Sequence, residues 1–193
     1  MMRCLVILLT MFSLSGCAGL FIAGAATTAN IVTDTRTTKE IWQDNNIEFE
    51  IAALGNKAPF KGQVRVVASS YNGTVVLMGQ APTQALVNEL ESKARDVEGV
   101  KNVHNQIKLK KPLSVTEISN DSWITTKVKS ALLTDSELNG VKVKVITEDS
   151  EVFLFGYVTA EQANRATDIA RNISGVKQVI KGFQYGETTS ETE

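Results

Sequence analysis

The sequence predicts an α+β protein built from two tandem domains, each with the element order αββαβ. Two observations lead to this fold class. Two long segments of the chain match each other at a shift of 76–77 residues, which indicates a duplicated module. In each copy a helix is followed by two strand patterns, a second helix and a third strand. We expect each domain to pack a three-stranded mixed sheet against two helices.

The composition is ordinary for a globular protein and excludes several classes of function. The chain has 193 residues, of which 43% are hydrophobic and 21% are charged, and its formal net charge is -1. This balance leaves no overall basic footprint for nucleic acid. Two cysteines, Cys4 and Cys17, and one histidine, His104, are too few for a zinc site or a Cys/His catalytic pair. We therefore expect no catalytic residue, no metal site, no cofactor and no nucleic-acid partner.

Residues 1–16 have the pattern of a secretory signal peptide. Arg3 gives a positive start, residues 5–12 form an apolar core, and residues 13–16 are small. The apolar core is shorter than the about 20 residues that a membrane-spanning helix needs.

The segment 14–17 (Leu-Ser-Gly-Cys) resembles the lipobox of bacterial lipoproteins. The resemblance implies that Cys17 is lipidated and becomes the first residue of the mature chain. Acyl chains anchor a protein firmly, because each buried methylene contributes about 0.8 kcal/mol. Ala18 stands where lipoproteins kept at the inner membrane usually have Asp, so the resemblance implies an outer-membrane lipoprotein that faces the periplasm. The alternative is a plain secretory signal with a chance cysteine.

Two segments are predicted to lie outside the folded domains. Residues 17–38 are rich in Ala, Gly and Thr, and we interpret them as the lipidated N-terminus followed by a flexible tether. The apolar residues 20–22 either dip into the membrane interface or belong to a collapsed tether. Residues 187–193 form an acidic tail that is predicted to be solvated and disordered.

The helices and strands follow from apolar spacing and turn residues. The first helices are predicted at 44–54 and 121–133, and the second helices begin near Pro82 and Thr159 and end before Gly99 and Gly175. The predicted strands are 63–69, a second strand ending at Gly79, and 100–109 in the first copy, with 141–147, a second strand ending at Gly156, and 176–185 in the second. Asn72-Gly73 indicates a tight hairpin turn, since both residues must accept positive φ, and residues 148–150 replace it in the second copy.

The recurring pattern of apolar strand, Gly, helix and Gly-Val-x-x-Val resembles the BON domain. It occurs at 75–79 (VVLMG) with 94–103 (ARDVEGVKNV), and again at 152–156 with 170–179. Two such domains behind a lipobox resemble the dual-BON lipid-binding lipoproteins associated with division and outer-membrane stress. The resemblance covers residues 14–186, and its most specific motif is 120–128 (NDSWITTKV). The two domains are predicted at 39–112 and 113–186.

The second strand of each domain is apolar on both faces. Val76 and Met78 alternate with core positions in the first copy, and Phe153 and Phe155 do so in the second. A sheet face in contact with water normally alternates with polar residues. We therefore expect the two domains to pack against each other through these faces.

The first helix of the second domain presents a tryptophan away from its buried stripe. The stripe is formed by residues at the spacing i, i+4, i+7, i+8, namely Ile124, Val128, Ala131 and Leu132. At about 100° per residue, Trp123 projects outward with Thr126, Lys127, Ser130, Leu133 and Thr134.

The equivalent helix of the first domain differs in charge. Asn46 occupies the position of Trp123, and Glu50 that of Lys127. Residues 120–134 carry one acid and two lysines, a net charge of +1, whereas residues 39–54 carry four acids and one lysine, a net charge of -3. An anionic membrane surface would attract the first set and repel the second.

The BON resemblance assigns phospholipid binding to this helix of the second domain. With the outward face, it predicts a site made of Trp123, Ile124, Thr126, Lys127, Val128, Ser130 and Leu133. The implied ligand is an anionic phospholipid such as phosphatidylglycerol, and the implied role is support of outer-membrane integrity at the division site. Lys129 and Ala131 depart from the Arg and Gln common in relatives. The alternative is that Trp123 packs between the domains.

The two other classes of function are an enzyme and a protein-binding adaptor. An enzyme is disfavoured, because no nucleophile motif or phosphate loop is present and His104 is most simply an ordinary strand residue. A periplasmic adaptor is the stronger rival, in which the acidic helix of the first domain, with Trp42 and Phe49, docks an envelope-assembly or cell-wall protein. We interpret Trp42 itself as a hydrophobic staple at the start of that helix.

Overall fold

The computed structural model describes Asp34 and residues 36–186. The predicted signal peptide, the predicted lipidation site at Cys17, nearly all of the predicted tether and the acidic tail at 187–193 lie outside the described residues. Within them the predicted fold class is confirmed. Two consecutive αββαβ units each form a three-stranded mixed sheet packed on two helices.

The first unit runs from α1 to β3. Its elements are α1 (Thr38–Leu54), β1 (Arg65–Tyr71), β2 (Thr74–Ala81), α2 (Gln84–Arg95) and β3 (Asn102–Leu109). The strand order is β1-β2-β3, with β1 antiparallel to β2 and β2 parallel to β3. A parallel pair needs a crossover connection, and α2 supplies it.

The second unit repeats this arrangement from α3 to β6. Its elements are α3 (Val115–Thr134), β4 (Lys144–Glu148), β5 (Glu151–Val158), α4 (Ala160–Arg171) and β6 (Gln178–Tyr185). The strand order is β4-β5-β6, again antiparallel and then parallel.

Both first helices begin six residues earlier than the apolar stripe predicts. The cause is a capping box at each start, where the side chains of Thr37 and Ser114 accept from the backbone of Glu40 and Glu117. The two glutamates in turn accept from the cap backbone, so the exposed N–H groups of the first turn are satisfied.

The strands also differ from the prediction at their ends. The first and third strands start two or three residues later than predicted, because the preceding N–H groups of Val64, Val100, Val141 and Val176 bond within local turns. The second strands continue past the predicted glycines to Ala81 and Val158.

One aspartate in each first helix binds the adjacent hairpin turn. Asp44 accepts from the backbone N–H groups of Asn72 and Gly73 at 2.8 and 2.9 Å. Asp121 accepts from Asp149 and Ser150, both at 2.8 Å. Three of these turn residues, Asn72, Asp149 and Ser150, are non-glycine residues with positive φ, so the aspartates stabilise a strained turn as the helix docks.

The two units pack through their helix-free sheet faces, as expected. Met78 and Gln80 of β2 are fully buried. Glu148 and Phe153 of the second sheet are almost fully buried. Glu148 accepts from Nε of Arg65 at 2.7 Å and from Nε2 of Gln80 at 2.9 Å. Among the described residues, no helix is long and apolar enough to cross a membrane.

Candidate lipid-contact site

Helix α3 is anchored by one apolar stripe. Ile124 and Val128 are fully buried, and Leu132 is 7% exposed, all in the core of the second unit. The stripe packs against α4 and the second sheet. Gly175 allows this packing, since a Cβ there would lie 3.2 Å from Cδ1 of Ile124.

The opposite face of α3 exposes two large apolar side chains. Trp123 is 61% exposed and Leu133 is 84% exposed. Trp123 is therefore not packed between the domains, and that alternative interpretation is wrong. The predicted projection of Trp123 away from the stripe is confirmed.

Three hydroxyl groups on the exposed side of α3 donate hydrogen bonds within the helix. Ser122 donates to the carbonyl of Ile118 at 2.9 Å, and Thr126 donates to the carbonyl of Ser122 at 3.0 Å. Thr134 donates to the carbonyl of Ser130 at 3.1 Å. Hydroxyls whose protons are already bonded cost less to remove from water, so this polar face is suited to a partly apolar environment.

Lys127 lies at the edge of the exposed face and is held there. Its ammonium donates to the carbonyl of Ser174, in the turn after α4. An ammonium has three donors, so two remain for an external acceptor. Lys129 is exposed on the same helix.

The burial of side chains on α3 reduces the number of predicted phospholipid-binding residues that could touch a lipid. Ile124 and Val128 cannot reach a headgroup, because their side chains face the core with no exposed surface. Their place in the site is to hold α3 against the domain. The residues that remain accessible are Trp123, Thr126, Lys127, Ser130 and Leu133.

Helix α1 occupies the matching place in the first unit, but its acids are partly neutralised. Nη1 of Arg36 lies 2.8 Å from Oδ2 of Asp44, and Nζ of Lys144 lies 2.6 Å from Oε1 of Glu48. Burial opposes ionisation of Asp44, but hydrogen bonds from Ser70 and the hairpin, with Arg36, hold its pKa below the usual range. Sequence reasoning missed both ion pairs.

Comparison with known proteins places these two units in a family. The BON domain family matches residues 43–111 and again residues 120–187. The chain belongs to the BON domain family. It is 45% identical over 89% of its length to outer membrane lipoprotein DolP of Haemophilus influenzae, of which 90% is covered.

Two further relatives are more distant. The 21 kDa hemolysin of Actinobacillus pleuropneumoniae is 41% identical, with 79% of each chain covered. Osmotically-inducible protein Y of Escherichia coli is 36% identical, with 54% of each chain covered.

The first BON domain carries exposed aromatic side chains of its own. Trp42 is 64% exposed and Phe49 is 75% exposed on α1. The interpretation of Trp42 as a staple is wrong, because α1 starts at Thr38 and Trp42 lies in its second turn. The capping box that moves the start was readable in the sequence as Thr37-x-x-Glu40.

The histidine and the acidic side chains are the residues that could serve as a catalytic base or as metal ligands. His104 is exposed on β3. Across Asp34 and residues 36–186, no group of three or more His, Cys, Asp or Glu side chains is placed to hold a metal ion.

Proposed function

We propose that this protein is a non-enzymatic outer-membrane lipoprotein whose second BON domain binds anionic phospholipid through the exposed face of α3. The observation that carries the proposal is the exposure of Trp123 and Leu133 on a Ser/Thr face flanked by lysines. The only acid between residues 120 and 134 is Asp121, which is buried against the hairpin.

The physical chemistry of these side chains fits the membrane interface. An indole ring combines an apolar body with an N–H that stays hydrated, which is why Trp is enriched at headgroup level. Each lysine near an anionic leaflet contributes roughly 1 kcal/mol. These contributions alone would hold an unanchored protein only weakly at a membrane.

The proposed N-terminal lipid anchor allows weak contacts between α3 and the membrane to produce stable binding. The proposed lipid on Cys17 confines the domains near the outer membrane, so the second contact is effectively intramolecular. The relative named outer membrane lipoprotein DolP supports the outer-membrane location. A role in envelope integrity and enrichment at the division site complete the proposal.

The test uses vesicle co-sedimentation of a chain that starts at Ala18, which keeps every described helix and strand. We expect binding to phosphatidylglycerol-containing vesicles and little binding to phosphatidylcholine vesicles. Trp123→Ala should reduce binding at least about tenfold, since an interfacial Trp supplies much of the apolar contact. Trp42→Ala is the matched control, because Trp42 has nearly the same exposure on the twin helix.

Equal binding by Trp123→Ala and the parent chain would reject the α3 assignment. Loss in Trp42→Ala alone would move the membrane contact to the first BON domain.

A second candidate function rests on the exposed face of α1. Trp42 and Phe49 lie seven residues apart, hence on one side of the helix, with the exposed acid Glu50 beside them. An apolar face with acidic neighbours suits a basic, amphipathic protein segment. This would be the adaptor activity, exerted on an envelope-assembly or cell-wall protein by the first BON domain.

A further inference from the structure

A cleft of about 1040 Å³ opens between the two helix-free sheet faces. Its apolar wall includes Phe155 and Ile180 on the second sheet, opposite Val76 on the first. The rings of Phe153 and Phe155 stack with centroids 6.5 Å apart. Gly182 accommodates Phe155, since a Cβ there would lie 2.4 Å from the ring. Ligand clefts are typically about 300–1,000 Å³.

The duplication provides an internal control for this cleft, because the interface has two equivalent ends. At the closed end, Arg65, Gln80 and Lys108 lie side by side across the first sheet. They face the tip of the β4–β5 hairpin. Every ion pair that joins this row to the tip uses one of its three acids, Glu148, Asp149 or Glu151.

The open end is built from the internally equivalent positions. The row is Lys142, Tyr157 and Gln184, and the opposing hairpin tip is Tyr71, Asn72 and Thr74. The equivalence is structural as well, because a Cβ on Gly79 would meet the carbonyl of Arg65 at 2.0 Å, and one on Gly156 would meet that of Lys142 at 2.6 Å.

The tip at the open end has lost all three acids. Tyr71 takes the place of Glu148, and Thr74 takes the place of Glu151. Of the two cations of the row, Arg65 has a cationic equivalent in Lys142, whereas Gln184 takes the place of Lys108. The cleft therefore lies at the position that corresponds to the Glu148 carboxylate of the closed end. Tyr71 and Lys142 both line it.

The side chains that line the cleft are positively charged overall. Three cationic side chains face it, Arg36, Lys142 and Lys144, and one acidic side chain does, Asp34. Arg36 pairs with Asp34 and Asp44, and Lys144 pairs with Glu48. Lys142 has no ion pair with any described acid. The cleft therefore favours an anion.

The apolar wall restricts the anion to an amphipathic one. Leu133 and Ile41 stand at the cleft as exposed apolar residues. Leu133 also belongs to the candidate lipid-contact face of α3, so the cleft is continuous with that face. A ligand that enters from a membrane meets this edge first.

We propose that the interdomain cleft binds one anionic phospholipid, with its phosphate beside Lys142 and an acyl chain along Phe155 and Ile180. The phosphate takes the electrostatic place that Glu148 holds at the closed end. The proposal rests on the proposed function only for the bilayer as the source of the lipid.

The experiment uses dihexanoyl phosphatidylglycerol below its micelle concentration, so that no bilayer is present. Methyl NMR of the chain from Ala18 reports on Ile180 and Val76 in the cleft, while Val128 in the core reports on the fold. We expect saturable shifts at the cleft methyls, weaker shifts with the phosphatidylcholine analogue, and none with inorganic phosphate alone.

Two variants test the electrostatic equivalence. Lys142→Glu should weaken binding of the short-chain phosphatidylglycerol at least about tenfold, because it places like charges together. Tyr71→Glu places at the open end a carboxylate equivalent to Glu148 of the closed end, and it should weaken binding similarly. Lys111→Glu, at an exposed residue outside the cleft, is the matched control and should bind as the parent does.

The outcomes separate the cleft from the α3 face. Binding lost in Lys142→Glu but kept in Trp123→Ala supports the cleft, even if vesicle binding through α3 fails. Shifts confined to α3, equal binding of both headgroups, or unchanged binding in both cleft variants would overturn it. A change at the cleft methyls on removal of residues 18–33 would also overturn it, by assigning the cleft to the chain's own N-terminal segment.

Discussion

Helices α1 and α3 occupy the same place in their BON domains and differ mainly on their outer faces. Asp44 and Asp121 bind their hairpins with the same geometry. The outer faces diverge, with Asn46 and Glu50 on α1 where α3 has Trp123 and Lys127. Features that repeat between the twins serve the fold. The features that differ are available for contact with a partner.

The largest effect is expected from the shared aspartates. Asp44→Ala should lower the free energy of unfolding by about 3 kcal/mol, because each buried donor left unsatisfied costs about 1–3 kcal/mol. Asp121→Ala should cost about 2 kcal/mol, since Asp44 also binds Ser70 at 2.6 Å and Arg36. Urea unfolding measures both. Equal costs would show that these two additional partners contribute nothing.

A charge exchange sharpens the difference between the outer faces. Lys127→Glu should weaken binding to phosphatidylglycerol vesicles by about 2 kcal/mol, from one lost and one added charge at roughly 1 kcal/mol each. Glu50→Lys should strengthen it by less than about 1 kcal/mol, because residues 39–54 would still carry three acids against two lysines. Vesicle titration at two salt concentrations checks both. A Glu50→Lys gain as large as the Lys127→Glu loss would contradict a contact specific to α3.

The smallest effect is the pH dependence of the first helix. The pKa of Asp44 is lower in the folded state than its usual range. Its stabilisation is therefore present above the unfolded pKa of about 3.9 and is lost as the pH falls through the folded value. Unfolding at about pH 5 and pH 3 should show a fall in stability that is smaller in Asp44→Asn. The same fall in both proteins would assign the effect to other carboxylates.

Sequence reasoning predicted the site where local periodicity decides the outcome. The exposure of Trp123 follows from its angle to Ile124 and Val128, which depends only on helix geometry. The same reasoning placed the hairpin turns, because Asn72-Gly73 has a strong local signal. It missed the starts of α1 and α3, although both capping boxes were present in the chain.

Long-range pairs were beyond sequence reasoning. Arg65 and Glu148 are 83 residues apart in the chain, and Lys144 and Glu48 are 96 apart. Nothing in local spacing selects one acid for a particular base at that separation. The apolar second faces of β2 and β5 predicted that the domains pack, but not which charged side chains join them.

The sequence by itself determined the two αββαβ units, their turns and the outward position of Trp123, because periods of 3.6 and 2 residues and turn residues act over short distances. Only the tertiary structure decided how the sheet faces meet, which acids are neutralised, and that one end of the interface is filled by carboxylates while the other is open. Those features depend on side chains brought together across the whole chain, and their energies depend on burial that exists only after folding.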